Sequence, residues 1–367
     1  MNEFHARFKQ LFLYPKIMVF TVYSLTFNAF QSQSPLADCV FEPVIWIVDH
    51  FTGMLGRALV ILVVLLTSTV VVIFYTNVIP IVLEYENVVL SACHLIFGHW
   101  LLLNIVFHYY KAVLTNPGHP ATGGKVAALK DIQVCTKCME VKPPRTHHCS
   151  ICKKCVLKMD HHCPWINNCV GHFNHRYFFL FCVYMCLGTI YVSLTLLPTF
   201  FDHINFIARD IIKSYIVGNS SIPSKGQNKY LLRPKVVENK EEDRESIKSA
   251  VVFEFMLCSC VALAVGALAG WHFWLICNGE TSIEVYINKK NRKKAKQEGK
   301  KYVNPYNYGL IRNCKMVFGL GRSRGLLSIL LPSSHPPHGD GVTWPLRELP
   351  NAENSYAVNN DKAIFMA

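Results

Sequence analysis

The sequence predicts an all-α integral membrane protein with four transmembrane helices and a small cytosolic cysteine-rich domain between the second and third helices. Hydrophobic residues make up 51% of the 367 residues and charged residues only 17%, which is unusual for a soluble domain. Four segments reach the length of about 20 apolar residues that a membrane span requires. Seven of the 15 cysteines fall between Cys135 and Cys169, which indicates a compact unit of its own.

Residues 1–57 are expected to form an N-terminal cytosolic or interfacial segment. Its two apolar runs, Ile17–Phe30 and Val40–Val48, are short for a span and follow a basic start. A cleaved signal peptide is the alternative, because a basic start before an apolar core is typical of one. That alternative would place the cysteine cluster in the lumen.

The predicted spans contain no Lys, Arg or Asp. Their one acid, Glu254, is expected at the membrane interface of a tilted helix. Buried helices of a soluble protein are the alternative, but such helices usually carry a polar stripe. The four spans are Ala58–Ile79 and Val88–Tyr109, which make up the region 58–110, then Tyr177–Phe201 and Ala250–Cys277.

Charge in the connecting segments predicts their side of the membrane, because basic segments favour the cytosol. The segment 111–176 has ten Lys or Arg against three acids, and the C-terminal region 278–367 opens with eight basic residues between Lys289 and Lys301. Both are predicted to be cytosolic. The loop 202–249 is nearly balanced and contains Asn219-Ser220-Ser221, an acceptor sequence for N-glycosylation, so it is predicted to be lumenal.

The cysteine cluster repeats at a step of 14 residues and supplies the soft ligands that tetrahedral zinc prefers. In a reducing cytosol this spacing favours two structural zinc ions over disulfides. Because His147 and His161 are also 14 apart, spacing does not identify the ligating histidine, and a site of the first four cysteines stays open. The two repeated sets are Cys135, Cys138, His148 and Cys155, and Cys149, Cys152, His162 and Cys169.

Cys163 is left over from both sets. A thiol outside a metal site can act as a nucleophile, and the adjacent His161 could be its base, with Asp160 orienting the imidazole. Because Cys163 precedes the third span by only 14 residues, it is expected at the membrane surface, where substrates are lipid-derived. In the alternative, His161 only caps a zinc loop and Cys163 has no role.

A long acyl chain gains about 0.8 kcal/mol for each buried methylene, so an acyl group held between the helices would bind well. The phosphates of an acyl-coenzyme A would be attracted by the basic surface. For the basic run after the last span, binding to anionic membrane lipids is an equal alternative. No nucleic acid is expected as a partner.

The pattern C-x2-C-x9-HC-x2-C-x2-C-x4-DHHC-x5-C, which begins at Cys135, closely resembles the DHHC family of integral-membrane protein S-acyltransferases (palmitoyltransferases). Two later motifs are similar to elements of that family: Thr281-Ser282-Ile283-Glu284, and Asn304 to Gly309 followed by Asn313. The resemblance covers roughly Ala58 to Gly319. Within the family, the Abl-philin subgroup is favoured by two runs, Glu280-Thr281-Ser282-Ile283-Glu284 and Leu330-Leu331-Pro332-Ser333-Ser334-His335.

The resemblance implies an enzyme of the endoplasmic reticulum or Golgi that transfers palmitate from palmitoyl-CoA to cysteines of client proteins. It implies zinc on the two sets given above, Cys163 as acyl acceptor, His161 as base and Asp160 as its orienting acid. It further implies that Trp165 lies near the acyl chain and Ser282 within reach of Asp160. A non-catalytic, zinc-stabilised membrane adaptor and an ion transporter are the alternatives.

Overall fold

The computed structural model describes residues 55–85, 87–120, 133–219, 235–321, 324–347 and 355–356. Most of the predicted N-terminal segment 1–57 therefore lies outside the described residues. The same holds for Ser220 and Ser221 of the glycosylation acceptor sequence.

Four helices in the described residues are long and apolar enough to cross a membrane, which confirms the predicted fold class. Their apolar stretches are Leu55–Val78, Val88–Leu114, His175–Arg209 and Lys248–Asn278, each starting within a few residues of its prediction. The helices are α1 (Leu55–Val78), a short continuation α2 (Ile79–Tyr85), α3 (Val88–Leu114), α4 (His175–Asn219) and α5 (Lys235–Asn278).

Helices α4 and α5 both extend into the segment 202–249, so the described part of that segment is helical rather than a loop. The extension of α5 is rich in Glu and Lys, which are good helix formers.

Contrary to the sequence prediction, Glu254 is not at the membrane interface. It is fully buried in the bundle, and neither carboxylate oxygen has a hydrogen-bond partner within the described residues. Packing of α5 against α4 turns this residue inward, which composition alone does not reveal.

The cysteine-rich domain consists of three short antiparallel hairpins that repeat every 14 residues. At the same place in each hairpin, one residue has the left-handed backbone that a tight turn requires: Met139, Lys153 and Asn167, with φ of 57°, 54° and 47°. The sequence repeat is thus a repeat of structure. The hairpins are β1 (Gln133–Val134) with β2 (Val141–Lys142), β3 (His147–Cys149) with β4 (Lys154–Val156), and β5 (His161–Cys163) with β6 (Asn168–Val170).

The C-terminal region begins with a helix whose capping box is formed by Thr281 and Glu284. Two asparagine side chains then close the end of α5, whose last carbonyls lack helical partners: Asn304 donates to the carbonyl of Asn278 at 3.1 Å, and Asn313 to that of Cys277 at 2.8 Å. The elements are α6 (Ser282–Gln297), β7 (Lys301–Tyr302), α7 (Leu310–Phe318), α8 (Leu327–Leu330) and β8 (Ser355–Tyr356).

Candidate active site

The three hairpins bring the predicted ligands together in two sets. The first and second hairpins supply one set, and the second and third hairpins supply the other. In each set the three sulfurs and one histidine nitrogen lie within 4.8 Å of one another, so both sets could hold a metal ion. His148 Nδ1 is 3.1 Å from Cys138 Sγ, and His162 Nδ1 is 3.3 Å from Cys152 Sγ and 3.6 Å from Cys169 Sγ. Zinc bonds of about 2.3 Å to sulfur and about 2.0 Å to nitrogen place neighbouring ligand atoms at roughly these separations. The donor sets therefore fit zinc.

Cys163 occupies, on the third hairpin, the position that Cys135 and Cys149 hold on the first two. The residue three positions later is a cysteine in those hairpins but Ile166 in this one, and Ile166 is fully buried among apolar side chains. The third hairpin therefore keeps the backbone of a metal-binding turn without a second sulfur. Cys163 is 6% exposed and faces the membrane helices.

Asp160 and His161 form a close pair beside this thiol. His161 Nδ1 lies 2.6 Å from Asp160 Oδ2, and Cys163, the second electrostatic partner of His161, lies on the same strand. Burial disfavours both charged forms, but the hydrogen bond and charge of His161 hold the pKa of Asp160 well below its usual range. In the same way, the two partners of His161 outweigh its burial and raise its pKa to about 9. The arrangement has the order of a nucleophile, base and carboxylate triad.

The start of α6 fixes the carboxylate of Asp160 from the other side. The backbone N–H of Ser282 donates to Asp160 Oδ1 at 2.6 Å, and its hydroxyl donates to Oδ2 at 3.2 Å. An anion at the N-terminus of a helix is further stabilised by the helix dipole. Asp160 is thus held by the C-terminal region as well as by the hairpin on which it lies.

His272 is a neighbour of the pair that the motif does not contain. This residue of α5 is 2% exposed, and its Nδ1 lies 3.7 Å from Asp160 Oδ2. The ring centroids of His161 and His272 are 5.4 Å apart, and the ring of Phe178 packs roughly perpendicular to both. No motif in the sequence points to His272, because only the packing of α5 brings it to the site.

Two side chains attach the third hairpin to the end of α3. Tyr109 donates from its hydroxyl to the carbonyl of Trp165 at 2.9 Å. Asn168 donates to the carbonyls of Ala112, Val113 and Thr115 at 3.0 to 3.3 Å, which are carbonyls that the helix end leaves without partners. The hairpin that carries Cys163 is therefore fixed directly on the end of a membrane span.

An apolar cavity of about 580 Å³ opens beside Cys163 and runs between the helices. Cys163 and Trp165 line one end, and Tyr191 and Val192 line the other. Along α4 the lining from Phe178 to Val192 covers 15 residues, or about 21 Å at the rise of a helix. This length exceeds one leaflet of hydrocarbon, which is about 15 Å.

A second group missed by sequence reasoning joins the cysteine-rich domain to the C-terminal region. Arg145 makes a bidentate ion pair with Glu284, at 2.6 Å and 2.7 Å, and donates to the carbonyl of Gly279 at 2.9 Å. Its guanidinium lies 4.6 Å from the ring centroids of both Tyr306 and Trp344. The charge of Glu284 outweighs burial and raises the pKa of Arg145. Glu284 was part of a recognised motif, but nothing in the sequence names its partner.

Comparison with known proteins agrees with this architecture. The family model described as "DHHC palmitoyltransferase" matches residues 128–289. Palmitoyltransferase ZDHHC16B of Danio rerio is 43% identical over 348 residues, covering 92% of this chain and 89% of its own. Palmitoyltransferase ZDHHC16 of Homo sapiens is 44% identical, covering 88% of this chain and 83% of its own. The probable protein S-acyltransferase 16 of Arabidopsis thaliana is 32% identical, covering 66% and 77%.

These relatives also agree with the subgroup expected from the sequence, since ZDHHC16 is Abl-philin 2. Their identity extends well beyond the cysteine-rich domain, over most of this chain and most of each relative. On this evidence the chain belongs to the DHHC palmitoyltransferase family.

Proposed function

We propose that this protein is a protein S-palmitoyltransferase that works in two steps through an acyl group carried on Cys163. The observation that supports this most strongly is the position of Cys163, which lies beside the Asp160–His161 pair and at the mouth of an apolar cavity. Its thiol thus has a base on one side and space for an acyl chain on the other.

In the first step, His161 takes the proton of the Cys163 thiol, and the sulfur attacks the thioester carbonyl of palmitoyl-CoA. The bond from the carbonyl carbon to the coenzyme A sulfur breaks, and that sulfur leaves with a proton returned by His161. In the second step, a client cysteine loses its proton to His161 and attacks the acyl group on Cys163. Cys163 is regenerated as the thiol, while Asp160 keeps the imidazole in its productive orientation.

The acyl chain is proposed to enter the cavity between the helices with Trp165 near its first carbons. Trp165 lines the cavity and is 51% exposed, so its ring is available to a chain that enters. A sixteen-carbon chain gains about 0.8 kcal/mol per buried methylene, on the order of 10 kcal/mol in all. Burial of the chain would hold the thioester beside Cys163 and raise its effective concentration there.

Two zinc ions are proposed to hold the cysteine-rich domain, one on the set with His148 and one on the set with His162. Zinc with four protein ligands stabilises a fold and has no open position for a reacting group. The strands of this domain are only two or three residues long, so metal bonds would supply much of its folding free energy. The protein's own residues then carry the chemistry.

The site is proposed to face the cytosol in the endoplasmic reticulum or Golgi, where acyl-CoA and client proteins are accessible. The excess of basic residues in 111–176 and after the last span supports this orientation. Exposed lysines of α6, among them Lys289, Lys290 and Lys293, offer charge to the phosphates of coenzyme A or to anionic lipids.

The proposal is tested by coenzyme A release from palmitoyl-CoA by purified protein in lipid nanodiscs. We expect a burst of one equivalent per active site, absent in Cys163→Ser and retained in Cys93→Ser, which changes an exposed cysteine of α3 that does not line the cavity. A non-catalytic membrane adaptor would release no coenzyme A with any variant. An unchanged burst from Cys163→Ser would refute the assignment of the nucleophile.

A further inference from the structure

The short helix α8 and its flanking residues lie beside a membrane span rather than above it. The carbonyl of Leu330 accepts from Trp100 Nε1 at 2.9 Å and from Asn104 Nδ2 at 3.3 Å, and both donors belong to α3. Lys111 is the one charged residue of α3 and marks its membrane surface on this side. At the rise of a helix, Asn104 lies about 10 Å and Trp100 about 16 Å below Lys111. This corresponds to one third to one half of a hydrocarbon layer of about 30 Å.

The carbonyls of residues 325–330 meet a condition for entering hydrocarbon, which is that backbone polar groups have partners within the protein. The carbonyls of Gly325, Leu326 and Leu327 accept from amides of the turn itself. The next three carbonyls accept from side chains of the spans: that of Ser328 from Arg176 at 3.2 Å, that of Ile329 from Tyr184 at 2.8 Å, and that of Leu330 from Trp100 and Asn104. Six consecutive carbonyls thus have partners.

After α8 the chain turns back towards the membrane surface. Pro332 has no N–H that would need a partner at this depth. The carbonyl of His335 accepts from Arg176 at 3.0 Å and from Tyr177 at 3.1 Å, both in the first turn of α4. The imidazole of His335 lies 2.9 Å from the carbonyl of Phe318, where the descending limb begins. The described residues 319–321 and 324–335 therefore have the outline of a hairpin with its tip at α8.

The outer face of this tip is apolar and exposed. Leu326 and Leu327 are 70% and 69% exposed, and Leu330 and Leu331 are 47% and 50% exposed. Neighbouring residues on the outer face of α3 are exposed in the same way, for example Leu103 at 57%. The face of the tip is thus continuous with the surface that a span presents to lipid.

We propose that residues 324–335 form the tip and returning limb of a re-entrant hairpin, and that the tip at Leu326, Leu327, Leu330 and Leu331 is buried in the hydrocarbon of the leaflet next to the cysteine-rich domain. The partner of this surface is lipid acyl chains. The hairpin packs with Ile329 against the cluster of α3 and α4 residues that contains Leu101 and Ile105, which also line the cavity. It therefore braces the cavity wall from the lipid side.

The test places a fluorescent coumaryl amino acid at Leu327 in the full chain, reconstituted in nanodiscs, with Leu346 as the matched control. Leu346 is 53% exposed but lies beyond the returning limb, near Trp344. Quenching is measured with nitroxide lipids labelled in the middle of the acyl chain and with aqueous iodide. We expect lipid quenching several-fold stronger at Leu327 than at Leu346, and iodide quenching in the reverse order.

Quenching of the Leu327 probe by iodide but not by the nitroxide lipids would overturn the proposal. Protection from both quenchers would also overturn it, because it would indicate that a protein partner or a second copy of this chain covers the tip. If the labelled protein does not fold, the same probe at Leu326 replaces it. As a second measurement, Leu327→Lys should lower the unfolding temperature in nanodiscs by several degrees, whereas Leu346→Lys should leave it unchanged. Equal effects of the two lysines would contradict burial of the tip in lipid.

Discussion

Replacing Glu284 with Gln is predicted to destabilise the junction between the cysteine-rich domain and the C-terminal region. The side chains of Arg145 and Glu284 are only 3% and 8% exposed, so the substitution leaves a buried guanidinium without its counter-charge. Breaking a buried pair in this way costs about 3 to 5 kcal/mol. We expect about 3 kcal/mol, because glutamine still accepts one hydrogen bond from Arg145. At about 2 °C per kcal/mol for a large domain, the unfolding temperature should fall by about 6 °C.

Glu298→Gln is the matched control. Glu298 lies 4.0 Å from Lys300, and these side chains are 38% and 45% exposed. Such a surface pair contributes between about 0 and 1 kcal/mol, so this variant should unfold within about 2 °C of the wild type. Formation of the acyl-enzyme should slow in Glu284→Gln alone, since Glu284 also caps the helix whose first residue holds Asp160.

The measurement is thermal unfolding in nanodiscs, followed by the rate of coenzyme A release at a temperature where both variants are folded. A double variant, Arg145→Met with Glu284→Leu, should recover part of the lost stability because it removes both buried charges. Equal unfolding temperatures for Glu284→Gln and Glu298→Gln would refute the reasoning.

Four further predictions concern the site itself. Ser282→Ala loses the hydroxyl bond to Asp160 but keeps the N–H bond, so coenzyme A release should slow only about fivefold. Proline suits the first position of a helix, but Ser282→Pro removes the N–H that binds Asp160. Coenzyme A release should therefore be at least tenfold slower in Ser282→Pro than in Ser282→Ala. Equal rates for these two variants would show that the N–H does not orient Asp160. His272→Phe keeps the ring but removes the nitrogen near Asp160, so release should slow several-fold with unchanged metal content, and an unchanged rate would exclude a positioning role. Removing metal with a chelator should abolish acyl transfer and also the unfolding transition of the cysteine-rich domain, measured by circular dichroism. Activity that survives complete loss of zinc would contradict a structural role for the metal. In Gly188→Leu, the new Cβ would lie 2.8 Å from Ile105 Cδ1 and would push that lining side chain, so the cavity should narrow. Release from palmitoyl-CoA should then slow more than release from a shorter acyl-CoA, and equal slowing would place the chain elsewhere.

Local spacing was enough to predict much of this protein. The four spans follow from hydropathy, because a span needs a long apolar run and little else. The repeat of the cysteines follows from the 14-residue step, which the structure shows as a repeated hairpin, whereas the choice of His148 and His162 as ligands came from the family resemblance. Cys163 stands apart for the same reason, since its hairpin carries Ile166 where the others carry a second cysteine.

Contacts between distant segments could not be predicted in this way. Arg145 and Glu284 are 139 residues apart, and Ser282 is 122 residues from Asp160, so only the packed chain brings them together. The family resemblance supplied the second contact but not the first. The burial of Glu254 and the approach of His272 to Asp160 likewise depend on the rotation of α5, which a uniformly apolar helix does not encode in its pattern.

Two cysteines line the cavity near the hairpin, Cys163 and the 2% exposed Cys182, and we propose that Cys163 carries the acyl group. Peptide mass spectrometry of the protein after brief incubation with palmitoyl-CoA, without reducing agent, distinguishes the two. We expect a palmitoyl adduct on the peptide that contains Cys163, lost on treatment with hydroxylamine and absent in Cys163→Ser. An adduct on Cys182 with Cys163 unmodified would show that Cys163 is not the acyl carrier.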